Sequence, residues 1–251
     1  MLDFRAWGDR ASGKVPLVLL HGFGGSAGDW SRIAEALSKD VPILAFDLPG
    51  HGASLHLEKT GVKASASAVL EALDKLSIPS FHLAGHSMGG AAAALIALQK
   101  PDHVRSLTLL APGGFGPDIA SGLLASYAKA TTLQELREVS AAMHASANPP
   151  SEEMLQRQLA MRAQPGQVEA LVSLEKRLSK EGKQGELDRD VLAELPMPLH
   201  VLWGDVDSVV TFSQTDDLPE GMTLHVLRGC GHMLIDEAPD LITQILQEIT
   251  G

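Results

Sequence analysis

Cysteine is all but missing. Cys230 is the only one in 251 residues, so no disulfide can form within the chain. That suits a reducing cytoplasm and excludes a disulfide-stapled secreted scaffold. Aromatic residues are scarce as well, at 4%. The core must therefore come from Leu, Val, Ile and Ala, which the 45% hydrophobic content supplies. No apolar run approaches the ~20 residues of a membrane helix, and residues 1–14 contain no apolar signal core. Positive charge is also in deficit. Lys and Arg number 20 against 31 Asp and Glu, a net charge of −11, whereas a nucleic-acid partner calls for a positive field. No Cys/His cluster has metal-ligand spacing. The expectation is a cytoplasmic enzyme for small molecules, with no nucleic acid, membrane, metal or organic cofactor as partner.

What is present is alternation. Short apolar runs at Leu17–Leu20, Pro42–Phe46, Ser80–Ala84, Ser106–Leu110, Leu199–Trp203 and Thr223–Leu227 are strand-sized and bounded by Gly, Pro or Asp. Longer periodic stretches separate them. Asp29 is placed to cap a helix carrying Trp30, Ile33, Ala34 and Leu37. Residues 62–76, 88–99 and 238–249 also have helical spacing. Such alternation predicts an α/β fold, a mostly parallel sheet flanked by helices. Residues 113–190 break the rhythm. After the turn-rich Pro112–Pro117 come helix-like segments near 119–130, 132–145, 151–163 and 167–180, without a convincing strand. The chain thus reads as a core of residues 1–112 and 191–251 with a helical lid at 113–190, where substrate-selecting residues often lie. An exposed edge at the N-terminal strand would suit a homodimer.

The stretch Gly85-His86-Ser87-Met88-Gly89 stands between a strand pattern and an alanine-rich helix pattern. A tight strand-to-helix turn pushes the central side chain outward and leaves no room for side chains two residues away on either side. Glycines at 85 and 89 meet that need. The helix N-terminus would then aim free N–H groups at Ser87.

A serine hydroxyl is a weak nucleophile, so it needs a base, and the base needs an orienting acid. Among 10 histidines, His232 follows the last strand candidate and is flanked by Gly231. Asp205 and Asp207 both follow the strand at Leu199–Trp203. Asp207 is favoured, Asp205 is the fallback, and Asp118 is a remote third. The oxyanion needs two backbone N–H donors. Met88 supplies one by its place after Ser87, and Phe23, in the glycine-rich loop His21–Gly25, supplies the other. His21 reads as a structural hydrogen-bonder near the substrate. Gly22, His86, Met143 and Met233 are placed on the substrate side with it. Met143, Met154 and Met161 are candidates for an acyl pocket, although mid-helix Met more often fills a core. His51 more plausibly shapes a turn, and Cys230 reads as a small packed residue.

These residues together resemble the α/β-hydrolase superfamily over nearly the whole chain. His21–Gly25, Asp47–Gly52, Gly85–Gly90, Trp203-Gly204 followed by Asp207, and Gly231-His232 occur in that superfamily's order. The resemblance implies a Ser87–Asp207–His232 triad and favours Asp207 over Asp205. Residues 106–119 and 225–239 further resemble the hydrolase-like domain of the dihydrolipoamide acetyltransferase component of acetoin dehydrogenase complexes. No lipoyl segment accompanies it here, so a stand-alone hydrolase is expected. The superfamily often has a strand before the one expected near Leu2–Trp7. Thr211 stands where many members have proline. The implied activity is hydrolysis of a small, mostly uncharged carboxylic ester or thioester through an acyl-enzyme. Acyl transfer, lactone hydrolysis, C–C bond hydrolysis or mere ligand binding are the alternatives. Met233 follows His232 where C–C bond hydrolases usually carry Trp.

Overall fold

A computed structural model describes all 251 residues. Seven strands form one sheet: β1 (Phe4–Trp7), β2 (Leu17–Leu20), β3 (Ile43–Phe46), β4 (Phe81–His86), β5 (Val104–Leu110), β6 (Leu199–Gly204) and β7 (Met222–Leu227). Their spatial order is β1-β3-β2-β4-β5-β6-β7. β1 runs antiparallel to β3, and every other neighbouring pair is parallel. β2 and β3 are buried at every position. Strands covered on both faces read as continuous apolar runs rather than alternating ones. The edge strand β7 is half-exposed and carries polar residues among its apolar ones.

Helices α1 (Ser31–Leu37), α2 (Val62–Lys75) and α3 (Met88–Gln99) lie among the first five strands. α10 (Pro239–Thr250) closes the chain after the short α9 (Leu234–Glu237). α1 packs with α10, and α2 packs with α3. α3 is buried on nearly all sides, from Met88 through Ala94 and at Ile96 and Ala97. Its alanines let the helix approach the sheet closely. A single cluster of 63 buried apolar residues joins helices and sheet.

Between β5 and β6 the chain forms α4 (Ser121–Lys129), α5 (Leu133–Ala141), α6 (Glu152–Arg162), α7 (Gln167–Leu178) and the short α8 (Arg189–Ala193). Thr132 caps α5 by accepting the Glu135 N–H at 3.2 Å, and Glu135 Oε2 accepts the Thr132 N–H at 3.0 Å. This is a capping box spelled Thr-x-x-Glu. Ser151 caps α6 by accepting the Met154 N–H at 3.2 Å, without a reciprocal bond. The cap expected at Asp29 is displaced. A short 3₁₀ turn, Ala27–Trp30, precedes α1, and Ser26 stands at its N-cap. Asp29 instead reaches back, its Oδ2 accepting the Ser26 N–H at 3.0 Å.

Candidate active site

Ser87 sits at the junction of β4 and α3 with φ 53° and ψ −116°. A non-glycine residue in that region is strained. Its backbone is held on both sides: Ser87 N–H donates to Leu110 O at 2.9 Å, and Ser87 O accepts from Ala91 and Gly113. A Cβ on Gly85 would lie 2.6 Å from the Gly89 carbonyl carbon, and one on Gly89 would lie 2.6 Å from Leu20 O. Both contacts are with backbone, which cannot move aside. Glycine is therefore required for the turn to close.

The loops after β6 and β7 bring two more side chains to Ser87. Gly204, at the end of β6, lets them meet, since a Cβ there would lie 2.7 Å from the Cys230 carbonyl carbon. Asp207 Oδ1 accepts the N–H groups of Val209 and Val210 at 2.8 and 3.0 Å. Trp203 Nε1–H donates to Val210 O at 3.1 Å and steadies the same loop. The free oxygen, Asp207 Oδ2, lies 2.8 Å from His232 Nδ1. His232 Nε2 lies 3.0 Å from Ser87 Oγ. Asp207 and His232 are both buried. A carboxylate opposite Nδ1 makes Nδ1 the donor. Nε2 is thereby left with a lone pair facing the serine hydroxyl, the orientation a general base requires.

The His232 loop is fixed group by group. Glu237, on α9, accepts Gly231 N–H at 2.8 Å and Met233 N–H at 3.0 Å. It also accepts Ala145 N–H at 2.9 Å from the segment between α5 and α6. His232 N–H donates to Met143 O at 2.8 Å, and His232 O accepts from His86 Nε2 at 2.8 Å. Neighbouring Asp236 accepts Ser151 N–H at 2.8 Å and lies 3.1 Å from His144 Nε2. Burial raises the Asp236 carboxyl, but the bonds from His144 and Ser151 outweigh it and hold the carboxyl below its ordinary value.

The loop after β2 brings Phe23 beside Ser87. His21 accepts Leu48 N–H at its Nε2 and donates from Nδ1 to Gly22 O. His51 Nε2 accepts Gly24 N–H at 3.1 Å. Asp47 ties the neighbouring turns together through the N–H groups of Ala27 and Ala53. No protein acceptor takes the Phe23 N–H. Met88 is the first residue of α3, so its N–H has no partner within the helix. Burial, then the neighbouring His21, pushes His51 down to about 3. Burial, then His232, does the same to His86. Both rings are therefore neutral hydrogen-bonding wedges.

A cavity of about 410 Å³ opens at the serine. Phe23, Ser87, Met88, Ala91 and Leu95 line it from the core, and Ile119, Leu124, Leu178 and Leu187 from the segment between β5 and β6. The residues expected on the substrate side are elsewhere. His21 is fully buried beneath the loop, and the His86 ring lies against Gly22. Met143 is buried and contributes its carbonyl, not its side chain, to the His232 loop. His86 and Met233 border a separate void of about 30 Å³ with Met154. Met161 is core. None of His21, Gly22, His86, Met143, Met154, Met161 and Met233 lines the cavity. The fallback acids are also accounted for. Asp205 Oδ1 accepts Gly229 N–H at 2.7 Å, and Asp118 pairs with Lys183 at the surface. Cys230 is buried, and burial raises its thiol. Glu237 and Asp236 had no role in the sequence reading. The only trace of them is a pair of acids in the first turn after His232.

Strand order, elbow and the meeting of three loops at the carboxyl ends of β4, β6 and β7 define an α/β-hydrolase. Residues 17–245 match the alpha/beta hydrolase family, and the chain belongs to it. It is 32% identical over 243 residues to the dihydrolipoyllysine-residue acetyltransferase component of the acetoin cleaving system of Cupriavidus necator, covering 96% of this chain. It spans 65% of that relative's length. It is also 31% identical over 262 residues to a 2-hydroxy-6-oxononadienedioate/2-hydroxy-6-oxononatrienedioate hydrolase of Paraburkholderia phymatum, covering 98% of this chain and 90% of that one. In three dimensions it resembles a meta-cleavage product hydrolase of Pseudomonas fluorescens IP01 with a TM-score of 0.86 at 23% identity, covering 99% of this chain and 93% of that one. No helix is long and apolar enough to cross a membrane.

Proposed function

We propose that the protein is a serine hydrolase that cleaves a small carboxylic ester or thioester through an acyl-enzyme. The observation that carries this reading is the unbroken chain Asp207 Oδ2–His232 Nδ1 at 2.8 Å and His232 Nε2–Ser87 Oγ at 3.0 Å, beside a cavity. His232 Nε2 takes the hydroxyl proton as Ser87 Oγ attacks the carbonyl carbon. The N–H groups of Phe23 and Met88 receive the oxyanion, a contribution of roughly 3 kcal/mol per donor. His232 then gives its proton to the leaving oxygen or sulfur, and the C–O or C–S bond breaks. In the second half His232 takes a proton from water, the hydroxide oxygen joins the carbonyl carbon, and Ser87 leaves with the proton. Asp207 keeps the imidazole in one tautomer throughout. The segment 113–190 acts as a lid that supplies one wall of the acyl pocket.

The names of the relatives favour a second reading, C–C bond hydrolysis on the same three residues. Turnover of p-nitrophenyl esters of increasing acyl length, wild type against Ser87→Ala, tests the first. Ester turnover that vanishes in Ser87→Ala is expected. Folded wild-type protein that turns over no ester of any length would move the assignment to acyl transfer or to C–C bond cleavage.

A further inference from the structure

The cavity extends well past the serine. Its wall includes Ser87 and Leu95, eight residues apart on α3, which is about 12 Å of helix. The lining is mixed in character. Much of it is apolar, with Phe23, Met88 and Leu124. The same wall also includes Thr60, Lys63 in the first turn of α2, and Arg177 in the last turn of α7.

Neither cation is neutralised by the protein. Arg177 Nη2 donates to Thr60 Oγ1, a neutral acceptor that is also on the cavity wall. Lys63 makes no ion pair. Glu186 is the one acid on the wall, and it pairs with neither cation. Arg177 has a bland explanation, since a cation complements the C-terminal end of a helix dipole. Lys63 does not. It stands at a helix N-terminus, where a positive charge opposes the dipole and no acidic residue offsets it. The chain as a whole carries −11, so an anion approaching elsewhere meets repulsion. Two unpaired cations beside low-dielectric apolar walls make the cavity mouth locally favourable to one.

We propose that the substrate carries an anionic group away from the scissile carbonyl, and that Lys63 and Arg177, on the wall of the same cavity, are its counter-ions. The placing of the carbonyl rests on the serine-hydrolase reading above. The substrate class is then an acyl ester or thioester tipped with a carboxylate or a phosphate. This revises the mostly uncharged substrate expected from the family resemblance.

The test compares p-nitrophenyl half-esters of dicarboxylic acids, succinate through suberate, with neutral esters of matched length. Phosphonate-tipped esters form a third series. The quantity read is the ratio of kcat/KM for anionic over neutral ester. In the wild type the ratio should exceed one and peak at an intermediate chain length. Lys63→Ala and Arg177→Ala should each lower it by about two- to fivefold, the range of a solvent-exposed ion pair. The double charge reversal Lys63→Glu/Arg177→Glu should invert it, and added salt should shrink it. The better of the carboxylate and phosphonate series identifies the head group. A ratio at or below one at every length, or one that neither substitution moves, overturns the proposal. Binding of the half-esters and their methyl-capped counterparts to Ser87→Ala protein reads the mouth without turnover. Absence of turnover with tighter binding of the anionic member would sink the hydrolase reading and keep the anion site. Equal binding would sink the site whatever the turnover.

Discussion

Replacing Asp207 by Asn separates the role of charge and tautomer from that of packing. The Asn carbonyl can still accept the N–H groups of Val209 and Val210, which Asp207 Oδ1 holds at 2.8 and 3.0 Å. The loop should therefore keep its shape. The amide NH₂ then faces His232 Nδ1 in place of the carboxylate oxygen at 2.8 Å. Two donors cannot face each other, so Nδ1 must become the acceptor and Nε2 must carry the proton. A protonated Nε2 can no longer take the proton of Ser87 Oγ at 3.0 Å. In serine hydrolases such a tautomer reversal costs on the order of 10⁴-fold in kcat, or about 5.5 kcal/mol at 1.36 kcal/mol per decade. The assay is steady-state turnover of a p-nitrophenyl ester together with the rate at which a fluorophosphonate labels Ser87. Both need the same base, so both should fall in parallel. Asp205→Asn is the internal control. Asp205 bonds only the Gly229 N–H, which an Asn carbonyl can also hold, so the loss there should stay under about tenfold. An Asp207→Asn protein within tenfold of wild type, or an Asp205→Asn protein that falls as far, would refute the reasoning.

Glu237→Gln should slow labelling of Ser87 and lower kcat more than it changes KM. An amide cannot accept from Gly231, Met233 and Ala145 at once, and a stranded buried donor costs about 1–3 kcal/mol. Unchanged kcat with a lowered urea midpoint would make the residue a fold element only. Gly85→Ala places a Cβ 2.6 Å from the Gly89 carbonyl carbon. The expected result is about 1–3 kcal/mol of lost stability with loss of labelling, and an unaltered melt would contradict the elbow geometry. His51 and His86 are each held down to about 3 against an ordinary 6.5. Below about 6.5 the unfolded chain gains both protons while the native chain gains neither until about 3. Stability should thus fall as pH drops through that window, by about 1.4 kcal/mol per pH unit per histidine. Urea midpoints from pH 7 to 5 measure the slope, and His51→Gln should remove one proton from it. An identical slope in that variant would mean that His51 is protonated in the native protein.

The elements with a backbone reason were legible in the sequence. β2, β4 and β6 read as strands because each is an apolar run stopped by His-Gly, Gly-x-Ser or Gly-Asp. Ser87, Asp207 and His232 could be named because the turns that carry them need particular glycines at fixed offsets. The fallback at Asp205 shows the resolution of such a reading. Two acids two residues apart look alike until one is seen to bond a turn N–H and the other an imidazole. The substrate-side residues were not legible. Proximity in sequence to Ser87, His232 or the glycine loop says nothing about which face of a loop points into the cavity. His86 alternates with Ser87 along the chain and so points away from it, toward His232 O. Met154 and Met161 carry the periodicity of α6 but not the direction in which it docks, and Met143 lies beyond the end of α5. Glu237 escapes because its partners are three backbone N–H groups, those of Gly231 and Met233 nearby and of Ala145 far along the chain, and backbone partners leave no pattern in side-chain identity.

The same division explains how the site is built. Every group in the proposed chemistry is carried by the sheet and its loops, and the approaches are backbone to backbone. Gly89 lies against Leu20, and Gly204 against Cys230. Such contacts fix positions without choosing a substrate. The far wall of the cavity comes from residues 113–187, through Ile119, Leu124, Arg177, Leu178 and Leu187. That segment is pinned to the His232 loop through Glu237 and to α9 through Asp236. Changes of side chain on the wall can therefore alter what enters without touching the anchors that orient the base. A substitution at Leu187 or Arg177 should shift chain-length or charge preference while leaving fluorophosphonate labelling of Ser87 within severalfold. A substitution at Glu237, which does not line the cavity, should do the reverse.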